Sequence, residues 1–382
     1  MIQNRKLLMS LFLFAMVNLP MNIFGQWEIP DDFIPLFNGK DFTGWNIEPD
    51  SGAWYVKDSR IICSGKPVPP YLILTEKEYE NFELYVDFKM SKNCNSGIFL
   101  HQLDRGWARE SRVGMEIQIT DHAGRAVSRG SSGSIYDAVA PLSNPVKPAG
   151  HWNRYYILMD WPVLKIWLNG QLIQDANLED DEITRYRLRK GFIGLQNHIG
   201  GESKVSSIEF RNLYIKELPA KEEIRELFNG KDLKGWKTEG KAKWTVENGV
   251  IKATGGDGWL ISEQEFTNYE LRVFAGKYKN GGTSGIYYNW ISQTEPGFKT
   301  EFHDWGPTPR RGFDHTATNM HFKDYLLTQI INVGNESFVR NNGNLIQSNL
   351  FHNTVKGGKI AIFHSAKDGD VRIPKIQIKS ID

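Results

Sequence analysis

Period-two alternation of apolar and polar residues dominates the chain. GMEIQITDH, Gly114 to His122, puts Met115, Ile117 and Ile119 on one face and Glu116, Gln118 and Thr120 on the other. Asp121 and His122 follow at its end. ELYVDFKM, YYILMDW, LKIWL and FRNLYIKEL alternate in the same way, and Gly, Asn, Asp or Pro punctuate the runs. In VLKIWLNGQLIQD, Asn169-Gly170 lies between two such runs and predicts a two-residue hairpin. Long amphipathic helices are absent; EKEYENF and KEEIREL have room for a turn or two. Short antiparallel strands spread over roughly 180 residues predict an all-β, two-sheet sandwich or jelly roll. Such a sandwich can bend one sheet into a groove for an extended ligand.

The plan is used twice. LFNGKDFTGW (36–45) returns as LFNGKDLKGW (227–236), NFELYVDF (81–88) as NYELRVFA (268–275), and SGIFLH (96–101) as SGIYYN (284–289). LNGQLI (168–173) returns as NNGNLI (341–346), and GFIGLQNH (191–198) as GKIAIFHS (358–365). Order and spacing hold throughout, so a whole domain is duplicated rather than a short solenoid unit. LPAKEE, with Pro219 and a run of charge, marks the joint. The expected domains are residues 26–218 and 222–382.

Composition adds little to this picture. Hydrophobic residues make up 40% and charged residues 24%, which excludes a disordered chain. A net charge of +1 gives no reason to expect nucleic acid or an anionic membrane as partner. The 12 Trp, 14 Tyr and 21 Phe fit strands, and also fit stacking on sugar rings. The N-terminus is more specific. Arg5 and Lys6 precede an apolar run from Leu7 to Val17, and small residues end at Gly25, the order of a secretory signal peptide. Cleavage near Gly25 and export to a bacterial periplasm are expected, with no membrane association afterwards; an uncleaved anchor is the alternative. Cys63 and Cys94 are too few for a disulfide scaffold and read as free core thiols.

LFNGKDFTGW, NSGIFLH, GMEIQITD, SGSIYD, KPAGHWNRY, LNG, GFIGLQNH and FRNLYIKEL come in an order that resembles the 3-keto-disaccharide hydrolase domain family. That family is common in exported proteins of Bacteroidetes, and its fold is similar to the concanavalin A-like lectin and glucanase sandwich. The resemblance covers the mature chain as two tandem copies, closer in the first. It implies a 3-keto-glycoside or 3-keto-disaccharide substrate, made by a separate sugar 3-dehydrogenase. A ketone at C3 acidifies the C2 proton, so a base can form an enolate that expels the group on C1. Such a site needs a base, donors to the enolate oxygen and an acid for the leaving oxygen. A non-catalytic carbohydrate-binding protein and a retaining glucanase are the alternatives.

Glucanases of this fold carry acids at i, i+2 and i+5 of one strand. Here those positions read Glu116, Gln118 and Asp121, and the central amide argues against a two-carboxylate mechanism. Glu116, Asp121 and His198 are the candidates for proton transfer. Asn95, His101, Gln118, His122, Tyr136 and Gln196 are candidates for binding the sugar. Trp152 reads as packing. The sequence specifies no cofactor, and CxxC or HExxH spacings are absent, but a divalent metal ion is an open alternative, with Glu116, Asp121, His122 and His198 as its ligands. In the second copy, KTEFHDWG aligns Glu301 with Glu116 and His303 with Gln118, and two readings stay open: a second site around Glu301, His303 and Asp304, or a diverged module that binds carbohydrate or braces the first.

Overall fold

The computed structural model describes residues 28–48, 50, 52–103, 114–181, 184–185, 187–198, 206–221, 224–276, 283–302, 325–341, 344–350 and 357–381. The expected signal peptide lies outside the described residues, as do His303 and Asp304. The described residues form strands, turns and loops, with no helix among them. The first thirteen strands are β1 (Ile34–Pro35), β2 (Trp45–Asn46), β3 (Trp54–Lys57), β4 (Arg60–Cys63), β5 (Leu72–Tyr79), β6 (Asn81–Met90), β7 (Asn95–Gln102), β8 (Met115–Thr120), β9 (Trp152–Asp160), β10 (Val163–Leu168), β11 (Gln171–Asn177), β12 (Gly191–Gln196) and β13 (Ile208–Leu218). They build an eight-stranded sheet, β11-β10-β9-β6-β13-β4-β3 with β1 on β13, and a five-stranded sheet, β2-β5-β12-β7-β8.

The second set is β14 (Ile224–Glu226), β15 (Trp236–Glu247), β16 (Val250–Phe266), β17 (Tyr269–Gly276), β18 (Gly285–Trp290), β19 (Phe298–Glu301), β20 (Tyr325–Val333), β21 (Glu336–Asn341), β22 (Asn344–Leu350), β23 (Gly358–His364), β24 (Val371–Ile373) and β25 (Lys375–Ser380). One sheet runs β14-β25-β17-β20-β21-β22, the other β15-β16-β23-β18-β19 with β24 on β16. All ladders in both sets are antiparallel. The fold is all-β: two tandem sandwiches in which β15 runs through the counterparts of β2 and β3, β16 through those of β4 and β5, and β13 is divided into β24 and β25.

The repeat holds to the level of single hydrogen bonds. Asn38 Oδ1 accepts from the amides of Lys40 (2.8 Å) and Asp41 (3.0 Å), and Asn229 Oδ1 does the same for Lys231 (2.8 Å) and Asp232 (3.0 Å). Trp45 Nε1 donates to the Leu36 carbonyl at 2.9 Å, and Trp236 Nε1 to that of Leu227 at 2.8 Å. The Asn169-Gly170 turn joins β10 to β11 with both residues at positive φ, 51° and 87°. That is a type I′ turn, whose twist matches the strands it joins.

Alternation decides which side of the five-stranded sheet is core. Ile98 and Leu100 of β7, Met115, Ile117 and Ile119 of β8, and Leu195 of β12 pack against Phe82, Leu84, Val86 and Phe88 of β6. Burying each of these side chains contributes about 1.5–3 kcal/mol. Cys63 and Cys94 are buried and free, and burial pushes both thiols up to about 12. The opposite face of that sheet carries a small apolar group, Leu72, Leu74 and Phe99, and the polar residues of interest.

Candidate functional site

The β12-β7-β8 register brings the polar residues together. Asn95 pairs with Thr120, Gly97 with Gln118 and Phe99 with Glu116, while Gly194 of β12 pairs with Phe99 from the other side. Side chains at these positions share the outer face, and Gln196 joins them two residues after Gly194. A cleft of ≈ 90 Å³ opens there, lined by Asn95, Phe99, Glu116, Gln118, Gln196 and His198, with Gly114, Met115, Ile135, Tyr136 and Arg187 around them.

Gly97 makes room for the carboxylate of Glu116. A Cβ at position 97 would lie 2.7 Å from Glu116 Oε1 and 2.8 Å from its Cγ, so the acid lies across the glycine. The exposed edge of β8 is covered by the segment after it. The Gln118 amide donates to the Ser134 carbonyl at 3.1 Å, the Gly133 amide to that of Gln118 at 2.9 Å, and the Tyr136 amide to that of Glu116 at 2.8 Å. Those bonds fix Tyr136 at the rim, one third exposed. Covering the edge protects β8 from pairing with other chains and leaves its outer face to the cleft.

Two amide oxygens in the lining, Asn95 Oδ1 and Gln196 Oε1, are buried with no hydrogen-bond partner among the described residues. A buried acceptor without a partner costs about 1–3 kcal/mol, so such atoms mark positions where a ligand hydroxyl would bind. Gln118 is buried and its Oε1 accepts from the Ile119 amide at 2.9 Å, which holds its side chain in place. Ser96, on the core side of β7, ties the strands together by donating to the Gln196 carbonyl at 2.7 Å. Glu116 and His198 thus share one cleft with amides suited to hydroxyls. A carboxylate and an imidazole so placed can move protons to and from a bound sugar.

Three sequence candidates lie elsewhere. Asp121 follows the end of β8, where its carboxylate accepts from the Asn93 amide at 2.9 Å and its own amide donates to the Cys94 carbonyl at 3.1 Å. The β7–β8 ladder has no bulge, so Glu116, Gln118 and Asp121 do not converge as the glucanase spacing would require. His122 sits in the next turn, where its carbonyl accepts from Asn144 Nδ2 at 2.7 Å; partial burial and the Arg125 charge lower its pKa. His101 is fully buried. Its Nδ1 lies 2.9 Å from the Leu188 carbonyl and its Nε2 2.7 Å from that of Glu80. The ring braces the fold and does not reach the cleft. Trp152 packs, as expected, under Arg211, whose guanidinium carbon is 3.9 Å from its ring centre. The potential metal set is divided as well: Glu116 and His198 are in the cleft lining, Asp121 and His122 are not. Among the described residues no three His, Cys, Asp or Glu side chains form a metal-binding group.

The second sandwich corrects the sequence alignment by two residues. Tyr287, the counterpart of Phe99, pairs with Lys299, and Gly285, the counterpart of Gly97, pairs with Glu301. Lys299 therefore occupies the place of Glu116, and Glu301 that of Gln118. Their side chains form an ion pair of 2.7 Å. The repeat in β23 puts Phe363 where Gln196 stands and Ser365 where His198 stands, while His364 is buried on the core side near Trp244. Phe363 packs on Trp259, which also contacts Tyr287 and Trp290. Each proton-transfer candidate of the first cleft is replaced at the matching position.

Sequence reasoning missed Arg187. It is buried, lines the cleft, and its Nη1 donates to the Gly114 carbonyl at 3.1 Å. Its signal was faint: RYRLRK is a basic run of the kind that lies on a wet surface, and only the fold turns Arg187 and Arg189 inward. Phe99, Met115 and Ile135 were missed because apolar lining looks like core in sequence.

A 3-keto-disaccharide hydrolase of Bacteroides thetaiotaomicron is 26% identical over 239 residues, which is 49% of this chain and 79% of that protein. Two crystal structures of proteins assigned as glycosyl hydrolases from Parabacteroides distasonis are similar. One is 29% identical and covers 49% of this chain and 94% of its own, with a TM-score of 0.41. The other is 28% identical and covers 49% and 99%, with a TM-score of 0.42. The family model described as 3-keto-alpha-glucoside-1,2-lyase-like domain matches residues 32–216 and again 223–308, once on each sandwich and over most of the chain. Repeated sandwich, ordered motifs and double match agree, and the chain belongs to this family of 3-keto-alpha-glucoside-1,2-lyase-like domains.

Proposed function

We propose that the first sandwich cleaves glycosidic bonds of sugars that carry a ketone at C3. The carrying observation is the make-up of the cleft: among its described lining residues stand one carboxylate, Glu116, and one imidazole, His198. Direct glycoside hydrolysis uses two carboxylates about the scissile bond. Elimination next to a ketone uses one base and one acid. In this reading Glu116 removes the C2 proton, and the C–H electron pair becomes the C2–C3 double bond of an enolate. The enolate re-forms the ketone and expels the C1 oxygen, which takes a proton from His198. Water then adds across C1–C2, its oxygen to C1 and its proton to C2, so the net reaction is hydrolysis. If the unsaturated sugar leaves first, the protein is a lyase.

The amides of Asn95, Gln118 and Gln196 in the cleft lining support recognition of sugar hydroxyls. The related Bacteroides protein bears the name 3-keto-disaccharide hydrolase, which supports the same substrate class. The signal-like N-terminus supports export, and the substrate implies an oxidation at C3 by a dehydrogenase upstream. The test is to incubate the protein with an aryl glycoside and with its C3-oxidised form, and to follow release of the phenol. Release from the oxidised sugar only is the expected result. Cleavage of the unoxidised sugar would show a conventional glycosidase, and tight binding of either without release would show a binding protein.

A further inference from the structure

The segment Arg187–Lys190 leads into β12 and is held at every residue. The Arg187 amide donates to the Thr184 carbonyl at 2.9 Å, and its guanidinium to the Gly114 carbonyl at 3.1 Å. Leu188 is fully buried and its carbonyl meets His101 Nδ1. Arg189 stacks on Trp161, 5.0 Å from the ring centre. The last anchor comes from the other sandwich. Lys375, the first residue of β25, donates to the Lys190 carbonyl at 3.3 Å and pairs with Glu78 of β5 at 2.7 Å. Glu226 of β14 lies 3.7 Å from the same ammonium, whose side chain is 5% exposed. Glu78 pairs with Phe192 at the start of β12, so Lys375 grips both strands where the cleft's third strand begins.

Arg187 is the residue of permanent positive charge among the described groups that line the cleft. A cation held in a closed site acts most strongly where negative charge develops in the reaction. In the proposed reaction that place is the C3 oxygen, which receives the carbonyl electron pair when the C2 proton leaves. Arginine remains protonated throughout and donates hydrogen bonds without losing a proton.

We infer that Arg187 is the catalytic cation that stabilises the enolate oxygen, and that Lys375 of the second sandwich is the positioning residue that holds the Arg187–Lys190 segment. The second copy, which carries Lys299 and Ser365 at the positions of Glu116 and His198, then serves the cleft of the first as a clamp. The inference rests on the 3-keto-glycoside reading.

The test uses the full chain and the C3-oxidised aryl glycoside. Arg187→Met should lower kcat by about 10²-fold or more and change KM far less, since the charge it answers exists only in the transition state. Lys375→Met should lower kcat about 10-fold, and Lys375→Arg should restore it. The double variant should be no slower than Arg187→Met alone, because both act through one group. Amide exchange across 187–196 should quicken in Lys375→Met and not in Lys375→Arg. Wild-type turnover in Arg187→Met, or additive losses in the double variant, would overturn the inference. Absence of turnover in the wild-type protein would overturn the parent reading and the enolate role together, and unchanged exchange would by itself refute the clamp.

Discussion

At the scale of single residues, the site rests on which atom each side chain presents. Glu116 and His198 divide the proton work, and the nature of the leaving group separates them. A phenol of low pKa departs without a proton, so His198→Ala should recover much of its lost rate on a nitrophenyl keto-glycoside. Glu116→Gln should remain about 10²-fold slow or worse on every leaving group, because C2 deprotonation is still required. Equal recovery of both variants would reverse or dissolve these roles. Gly97 is tested by its own absence of a side chain. In Gly97→Ala the new methyl would meet Glu116 at 2.7 Å, and the flexible acid, not the backbone, would yield. Turnover should fall about 10- to 100-fold while the melting temperature hardly moves. A rate near that of the wild type would show that the carboxylate need not lie across that position.

At the scale of elements, β7 explains His101. The residue has φ 57° and sits at a break in the β7–β12 register. Gly114 and Gly191 pass so close to its backbone that a Cβ at either would lie within 2.9 Å of its carbonyl. Asn289 in the second sandwich has φ 53°, with Gly297 and Gly358 against it in the same way. The bulge is architecture, repeated with the fold. Burial pushes the His101 imidazole down to about 4, two facing carbonyls opposing that fall. Below pH 6.5 the unfolded chain therefore binds a proton that the folded chain refuses. Stability from this group is complete above pH 6.5 and is lost as pH falls toward 4, by about 3 kcal/mol in all. His101→Asn, which copies the second sandwich, should flatten this part of the stability–pH curve. Denaturant melts from pH 4 to 7 would decide it, and an unchanged slope in the variant would remove His101 as the cause.

At the scale of the molecule, duplication has kept the frame and changed the chemistry. Strand order, turns and the bulge recur, while Glu116, Gln118, Gln196 and His198 give way to Lys299, Glu301, Phe363 and Ser365. The second outer face is aromatic, with Trp259 packed on Tyr287, Trp290 and Phe363. Lys299→Ala and Glu301→Ala should therefore leave keto-glycoside turnover within about twofold, and should cost little stability, since the pair they break is partly exposed. A large loss of turnover in either would place a working site in the second copy.

The alternation of GMEIQITDH by itself determined that Glu116 and Gln118 share a face away from the core, because a strand has a period of two whatever surrounds it. Turn residues fixed the hairpins for an equally local reason, the backbone freedom of Asn and Gly. The recurrence of whole motifs likewise revealed two domains of one fold. Tertiary structure decided what pairing and burial decide. It separated Asp121 and His122 from the cleft, because β8 ends at Thr120 without a bulge. It sealed His101 between two carbonyls, turned Arg187 inward, and set Lys299 rather than Glu301 opposite Tyr287. Register between distant strands is a property of their contact, and no single strand's sequence contains it.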